Sequence, residues 1–195
     1  MTSWTALHTG FARFGELRAQ PADAWQGEIA LPAELAAFYA HVGPWGRTYY
    51  ENVGPVGITL SETQISFPPL HKLWQLQAGY RWDASNDTRV ENWLDHWLVI
   101  ADQNADPFIY DTDSGKILHA RHGTGAWDAG EIAPDLQTFL AAATAVAHVF
   151  EDADEDLRDD DWMLRPEHRD EAIRQLAVIL GSQLDAETFF ETIEG

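Results

Sequence analysis

The stretch from Trp97 to Leu140, WLVIADQNADPFIYDTDSGKILHARHGTGAWDAGEIAPDLQTFL, constrains the fold more than any other part of the chain. Three apolar runs, at about 97–101, 107–111 and 116–121, are separated by two polar turns. Asn104-Ala105-Asp106 makes the first turn and Asp111-Thr112-Asp113-Ser114-Gly115 the second. Asp and Asn side chains bond nearby backbone and Gly accepts a positive φ, so both segments read as hairpin connections. An antiparallel meander is the consequence, with a helix from Pro134 to about Phe150 following it.

Helical spacing accounts for much of the rest. Trp4, Leu7, Phe11, Phe14 and Leu17 recur at intervals of three and four, which predicts a helix over 4–17 capped by Thr2 or Ser3. After a linker over 20–30, Leu31-Pro32 opens a second helix with Pro at its first position, and Gly43 ends it. Val56 to Leu60 reads as a strand and Leu70 to Ala78 as a helix closed by Gly79, while Tyr80 to Asp95 has no clear pattern. Pro166 begins a helix that Gly181 ends, and Asp185 caps a last one running through Ile193. The expected class is α+β: a central antiparallel sheet flanked by helices, with a helical C-terminal extension.

The chain has 195 residues and a formal net charge of −20, unevenly distributed. Residues 151–195 hold 15 acids against four bases, more than half of the excess. Such a field repels nucleic acid and anionic lipid and attracts basic proteins. Direct nucleic-acid binding and membrane binding are therefore not expected. There is no Cys, so neither a disulfide nor a thiolate metal site can form. The first residues lack a cationic leader followed by an apolar core, and no apolar run approaches the roughly 18 residues of a membrane span. A cytoplasmic protein is the expectation.

The motifs also have a familiar wording. Leu31-Pro32-Ala33-Glu34-Leu35-Ala36-Ala37-Phe38-Tyr39, the segment His71 to Tyr80, Trp97-Leu98-Val99-Ile100-Ala101-Asp102, Asp106-Pro107-Phe108-Ile109-Tyr110-Asp111 and Gly115-Lys116-Ile117-Leu118 follow in order. Trp127, Ile132-Ala133 and Leu136 to Leu140 close the series. In this the chain resembles the SUKH superfamily of Smi/Knr-type proteins, which includes bacterial toxin-immunity proteins and fungal cell-wall regulators. The resemblance covers roughly Leu7 to Phe150. It implies an α+β domain over 1–150 that binds a protein rather than catalyses, its partner being a toxin domain, often a nuclease. Nucleases are commonly basic because they hold phosphate backbones, and an acidic protein competes for that surface. Residues 151–195 lie outside the resemblance and read as an acidic linker and helical extension packed on the same domain.

Glu151 to Asp161 is either a solvated connector or a docking strip for a basic partner. Taken as a strip, its partner-binding candidates are Asp152, Asp154, Glu155, Asp156, Asp159, Asp160, Asp161 and Trp162. Its spacing matches no calcium loop. Asp102, Asn104, Asp106 and Asp113 imitate one, but Pro107 stands where the sharp turn needs Gly. His119 and His122, three apart on a strand, point to opposite faces and make a poor metal clamp. No Ser sits in a nucleophile elbow and no Gly series has phosphate-loop spacing. No catalytic residue, metal or cofactor is expected. Of nine Trp, Trp4, Trp74, Trp97 and Trp127 read as core; Trp25, Trp45, Trp82, Trp93 and Trp162 fall in loops, folded down or displayed as interface anchors. The leading expectation is an immunity-type binding module for a basic toxin domain. A ligand-binding or regulatory domain with a pocket beside the sheet is the alternative, and an enzyme built on a carboxylate pair a third.

Overall fold

A computed structural model describes residues 2–123 and 126–194. Its centre is an antiparallel meander of six strands in sequential order: β1 (Ile58–Leu60), β2 (Ile65–Phe67), β3 (Trp97–Gln103), β4 (Asp106–Asp111), β5 (Ile117–His119) and β6 (Gly130–Ala133). Helices α1 (Trp4–Phe11), α2 (Ala33–His41), α3 (Leu70–Leu73), α4 (Leu136–Ala153), α5 (Pro166–Leu180) and α6 (Gln183–Glu194) surround it. The class is α+β. The meander is wider than the sequence predicts, because β2 and β6 are too short to show a period of their own.

The β3–β4 hairpin turns on two residues only. Asn104 and Ala105 both have positive φ, 53° and 74°, and Asp106 already pairs with Gln103. This geometry matches the right-handed twist of the flanking strands. Asp102 steadies the turn by accepting the Ala105 N–H at 3.0 Å.

Both faces of β3 and β4 are covered, which explains why WLVIA is apolar throughout instead of alternating. Leu98, Ala101, Phe108, Tyr110 and Ile117 join the main core with the helices. Trp97, Val99 and Ile109 face a second cluster formed by Tyr80, Trp93 and Ala120. The unpatterned segment 80–95 is thus a cover for the sheet: Trp93 packs edge-on against Trp97 at 5.4 Å and against Trp127 at 5.6 Å.

Several element ends differ from expectation, each for an identifiable reason. Helix α1 stops at Phe11, six residues early. Beyond it the backbone finds other partners: Arg18 N–H donates to Gly43 O at 2.8 Å and Gln20 N–H to Tyr39 O at 2.9 Å, drawing 16–20 out along the end of α2. Pro32 caps α2 from outside rather than starting it. The predicted helix over 70–78 is one α-turn followed by a 3-10 turn over Gln75–Gln77. Helix α4 begins at Leu136 rather than Pro134, and Asp135 caps it by accepting the Thr138 N–H at 2.8 Å. Ser182, not Asp185, does so for α6, its Oγ taking the Asp185 N–H at 3.3 Å.

The C-terminal helices pack on the same core as the sheet. Leu176, Phe189 and Phe190 are buried; Phe189 lies 6.2 Å from Phe139, and Phe190 meets Phe150 edge-on at 6.3 Å. Gln103 Nε2 on β3 donates to the Ile193 carbonyl at 2.7 Å, tying the end of α6 to the sheet. No helix among the described residues is long and apolar enough to cross a membrane.

Candidate functional site

The acidic run is built into structure rather than strung between elements. Glu151, Asp152 and Ala153 form the last turn of α4, Asp154–Asp156 make a 3-10 turn, and Leu157 is buried at 3% exposure. Arg158 then bridges antiparallel to Leu164, and Arg165 N–H returns to Leu157 O at 3.1 Å. The chain between is a closed loop. Its tip is Trp162, 79% exposed with φ 63°, followed by Met163 at 65%. Other apolar side chains are as exposed, Val178 at 83% and Leu184 at 71% among them, but here two large ones are adjacent, and the left-handed backbone of a Trp is uncommon enough to need local support.

The eight predicted residues divide by what they touch. Asp152 is ion-paired at 2.8 Å with Arg13, whose guanidinium holds its carboxyl below the usual carboxylate range. Asp156 lies 3.4 Å from Arg165 and 3.3 Å from His168. Asp159 uses Oδ1 to accept the N–H groups of Asp161 at 3.0 Å and Met163 at 2.9 Å, holding the loop. Asp160 and Asp161 are exposed on it. Asp154 and Glu155 line a groove of about 400 Å³ that Trp162 borders. The groove also takes in Ser61, Glu62 and Glu151, with Phe150 and Leu157 beneath them. Ser61, after β1, hydrogen-bonds Glu151 at the end of α4. Glu62 is thus part of the acidic face, although it lies some 90 positions from the run; sequence reading had no signal for it, since only the packing of this turn on α4 brings it there.

Of the loop tryptophans, Trp93 is fully buried, Trp25, Trp45 and Trp82 are half-buried, and Trp162 is displayed. The aspartates of the meander act as turn residues: Asp102 accepts from Ala105 and from the Tyr80 hydroxyl, and Asp111 Oδ1 accepts the Asp113 N–H at 2.9 Å. His119 is buried and its Nε2 has no hydrogen-bond partner, whereas His122 is exposed and pairs with Asp106 at 2.6 Å. The two do not converge on one point.

Asp156, Glu167 and His168 bring three possible ligand atoms within 4.8 Å of one another. His168 Nε2 also lies 3.1 Å from the Asp156 carbonyl, so this nitrogen carries the proton and donates, and Arg165 already neutralises Asp156. Asp156 and His168 are thus already engaged with each other and with Arg165.

A second groove, of about 440 Å³, lies between Glu28, Trp74, Arg81, Trp82, Asp87 and Arg89. Its cations are engaged within the fold: Arg81 donates to Asp95 O at 3.0 Å and Trp97 O at 3.3 Å, and Arg89 pairs with Asp95. The acidic groove is the opposite case, with carboxylates in excess and an uncovered indole. Comparison with family models, with curated proteins and with solved structures finds no match.

Proposed function

We propose that this chain is a non-enzymatic, cytoplasmic protein-binding module of the immunity type, which neutralises a basic toxin domain by covering its active surface. A nuclease fits that description, because its phosphate-binding face is cationic. One observation carries the reading: the ordered loop over 157–165 displays Trp162 and Met163 at 79% and 65% exposure in the most acidic part of the chain. Acids at a rim speed and orient encounter, whereas a desolvated aromatic supplies affinity, and tryptophan is enriched among the residues that dominate binding energy. The motifs from Leu31 to Leu140 that resemble SUKH immunity proteins point the same way.

The test is co-expression with the C-terminal domain encoded by the adjacent gene. That domain is expected to arrest growth when expressed alone and this chain to restore it, with the Trp162→Ala variant restoring it poorly. Unrelieved arrest with the intact chain, or a neighbouring product without toxicity, contradicts the proposal.

A further inference from the structure

The groove beside Trp162 has a shape and chemistry more specific than a charged rim. Phe150 and Leu157, 1% and 3% exposed, lie under it. Glu62, Glu151, Asp154 and Glu155 stand along its sides, and the indole of Trp162 closes one edge. The acids alone would be an ordinary solvated face. What distinguishes the place is an uncovered aromatic, held by its loop, at the mouth of the groove. At about 400 Å³ the groove admits a long side chain but not a helix, which is about 10–12 Å across with its side chains.

The occupant's charge follows from complementarity. Four carboxylates line the groove against one guanidinium, Arg158, which is already engaged: Nη1 donates to Trp162 O at 3.3 Å and Nη2 lies 3.7 Å from Glu194. A guanidinium is planar, weakly hydrated, stacks on aromatic faces and forks to carboxylates, whereas an ammonium is a compact and strongly hydrated point charge. Resting on the protein-binding reading above, we infer that the groove takes an arginine side chain of the partner polypeptide. Its guanidinium lies flat on the Trp162 indole, its charge is met by the wall carboxylates, and its methylene stem passes over the buried Phe150 and Leu157.

The first arm of the test needs no knowledge of the partner. The full chain is titrated with N-acetyl-arginine amide, N-acetyl-lysine amide and the neutral isostere N-acetyl-citrulline amide, following the backbone amide signals of Glu62, Asp154 and Glu155 and the Trp162 indole N–H by NMR. Saturable shifts confined to these signals are expected with the arginine probe. Binding should be weaker by about fivefold or more with the lysine and citrulline probes. In Trp162→Ala and in the double variant Glu62→Gln, Glu155→Gln the response falls by a similar factor. Equal binding of citrulline, lysine as tight as arginine, or shifts spread over the acidic surface that persist in Trp162→Ala would overturn the assignment. Neutralisation of the partner that survives Glu62→Gln, Glu155→Gln overturns the groove alone; an intact probe response without any neutralisation overturns the immunity reading alone.

Discussion

Asp159 and Met163 hold each other from both directions: the Asp159 N–H donates to the Met163 carbonyl at 2.9 Å, and the Met163 N–H donates back to Asp159 Oδ1 at 2.9 Å. Between them Trp162 is turned out in a left-handed conformation. The carboxylate therefore acts as a clasp on the display loop. Asp159→Ala is expected to abolish hydrogen-exchange protection of the Met163 amide and to weaken partner binding by about tenfold, the order expected when an anchor loses its fixed position. Asp159→Asn keeps the acceptor oxygen and should retain most of both. Equal loss in the two variants would show that charge, not the clasp, is what matters.

Gln77 occupies a place where a strand is missing. β2 pairs with β3 only at Ser66 and Asp102, leaving the same edge of β3 open at Val99. The Gln77 side chain fills it, with Oε1 accepting the Val99 N–H at 2.9 Å and Nε2 donating to Val99 O at 2.8 Å and Leu73 O at 2.9 Å. The residue is fully buried. Gln77→Leu strands the Val99 N–H and carbonyl in the core, and each costs about 1–3 kcal/mol, partly offset by burial of the leucine. A loss of about 2–4 kcal/mol in urea unfolding is expected; a change below about 0.5 kcal/mol would contradict the role.

His119 gives stability a pH dependence of known sign. Burial pushes its pKa below the ordinary 6.5, with Arg121 adding to the depression and Asp106 opposing it. As pH falls through 6.5 the unfolded chain takes the proton first, so the buried ring carries no protonation penalty above 6.5 and destabilises the fold progressively below it. Relief of self-repulsion among the acids runs the other way on acidification. The diagnostic is therefore the difference between wild type and His119→Gln in unfolding free energy. It should shift against wild type between about pH 7.5 and about pH 5. A difference that stays level across that range would exclude the effect.

Gly46 and Gly54 both have positive φ, 73° and 68°, but differ in their surroundings. A Cβ on Gly46 would lie 1.8 Å from the Gly57 carbonyl oxygen, while nothing lies within 4 Å of one on Gly54. Gly54→Ala should cost about 1 kcal/mol, the left-handed penalty alone. Gly46→Ala should cost clearly more, about 2 kcal/mol or above, because backbone must move. Comparable thermal shifts in the two would contradict the close approach.

Legibility tracked the range of the interactions involved. The meander over 97–121 could be read from the sequence because its signals are local: turn residues with the right φ tolerance between apolar runs. Helix α5 was equally plain, bounded by Pro166 and Gly181. What escaped was set at long range. Helix α1 ends where it does because Tyr39 of α2 and Gly43 just beyond it offer bonds to residues 20 and 18, and the buried Gln77 reads as one more helical position. In the candidate site the acidic run and Trp162 were visible as residues, but not their sorting. Asp152, Asp156 and Asp159 serve partners within the fold, and Glu62 enters the groove only because the turn after β1 packs against the end of α4.

The central claim, that a basic domain docks on this acidic face through Trp162, is tested most directly by calorimetric titration of the adjacent-gene domain at several salt concentrations. Wild type is expected to bind and to lose about tenfold or more in affinity between about 50 mM and about 500 mM NaCl, as screening removes the charge attraction. At fixed salt, Trp162→Ala is expected to weaken binding by about 2 kcal/mol or more. Binding that is indifferent both to salt and to Trp162, or no binding at all, would contradict it.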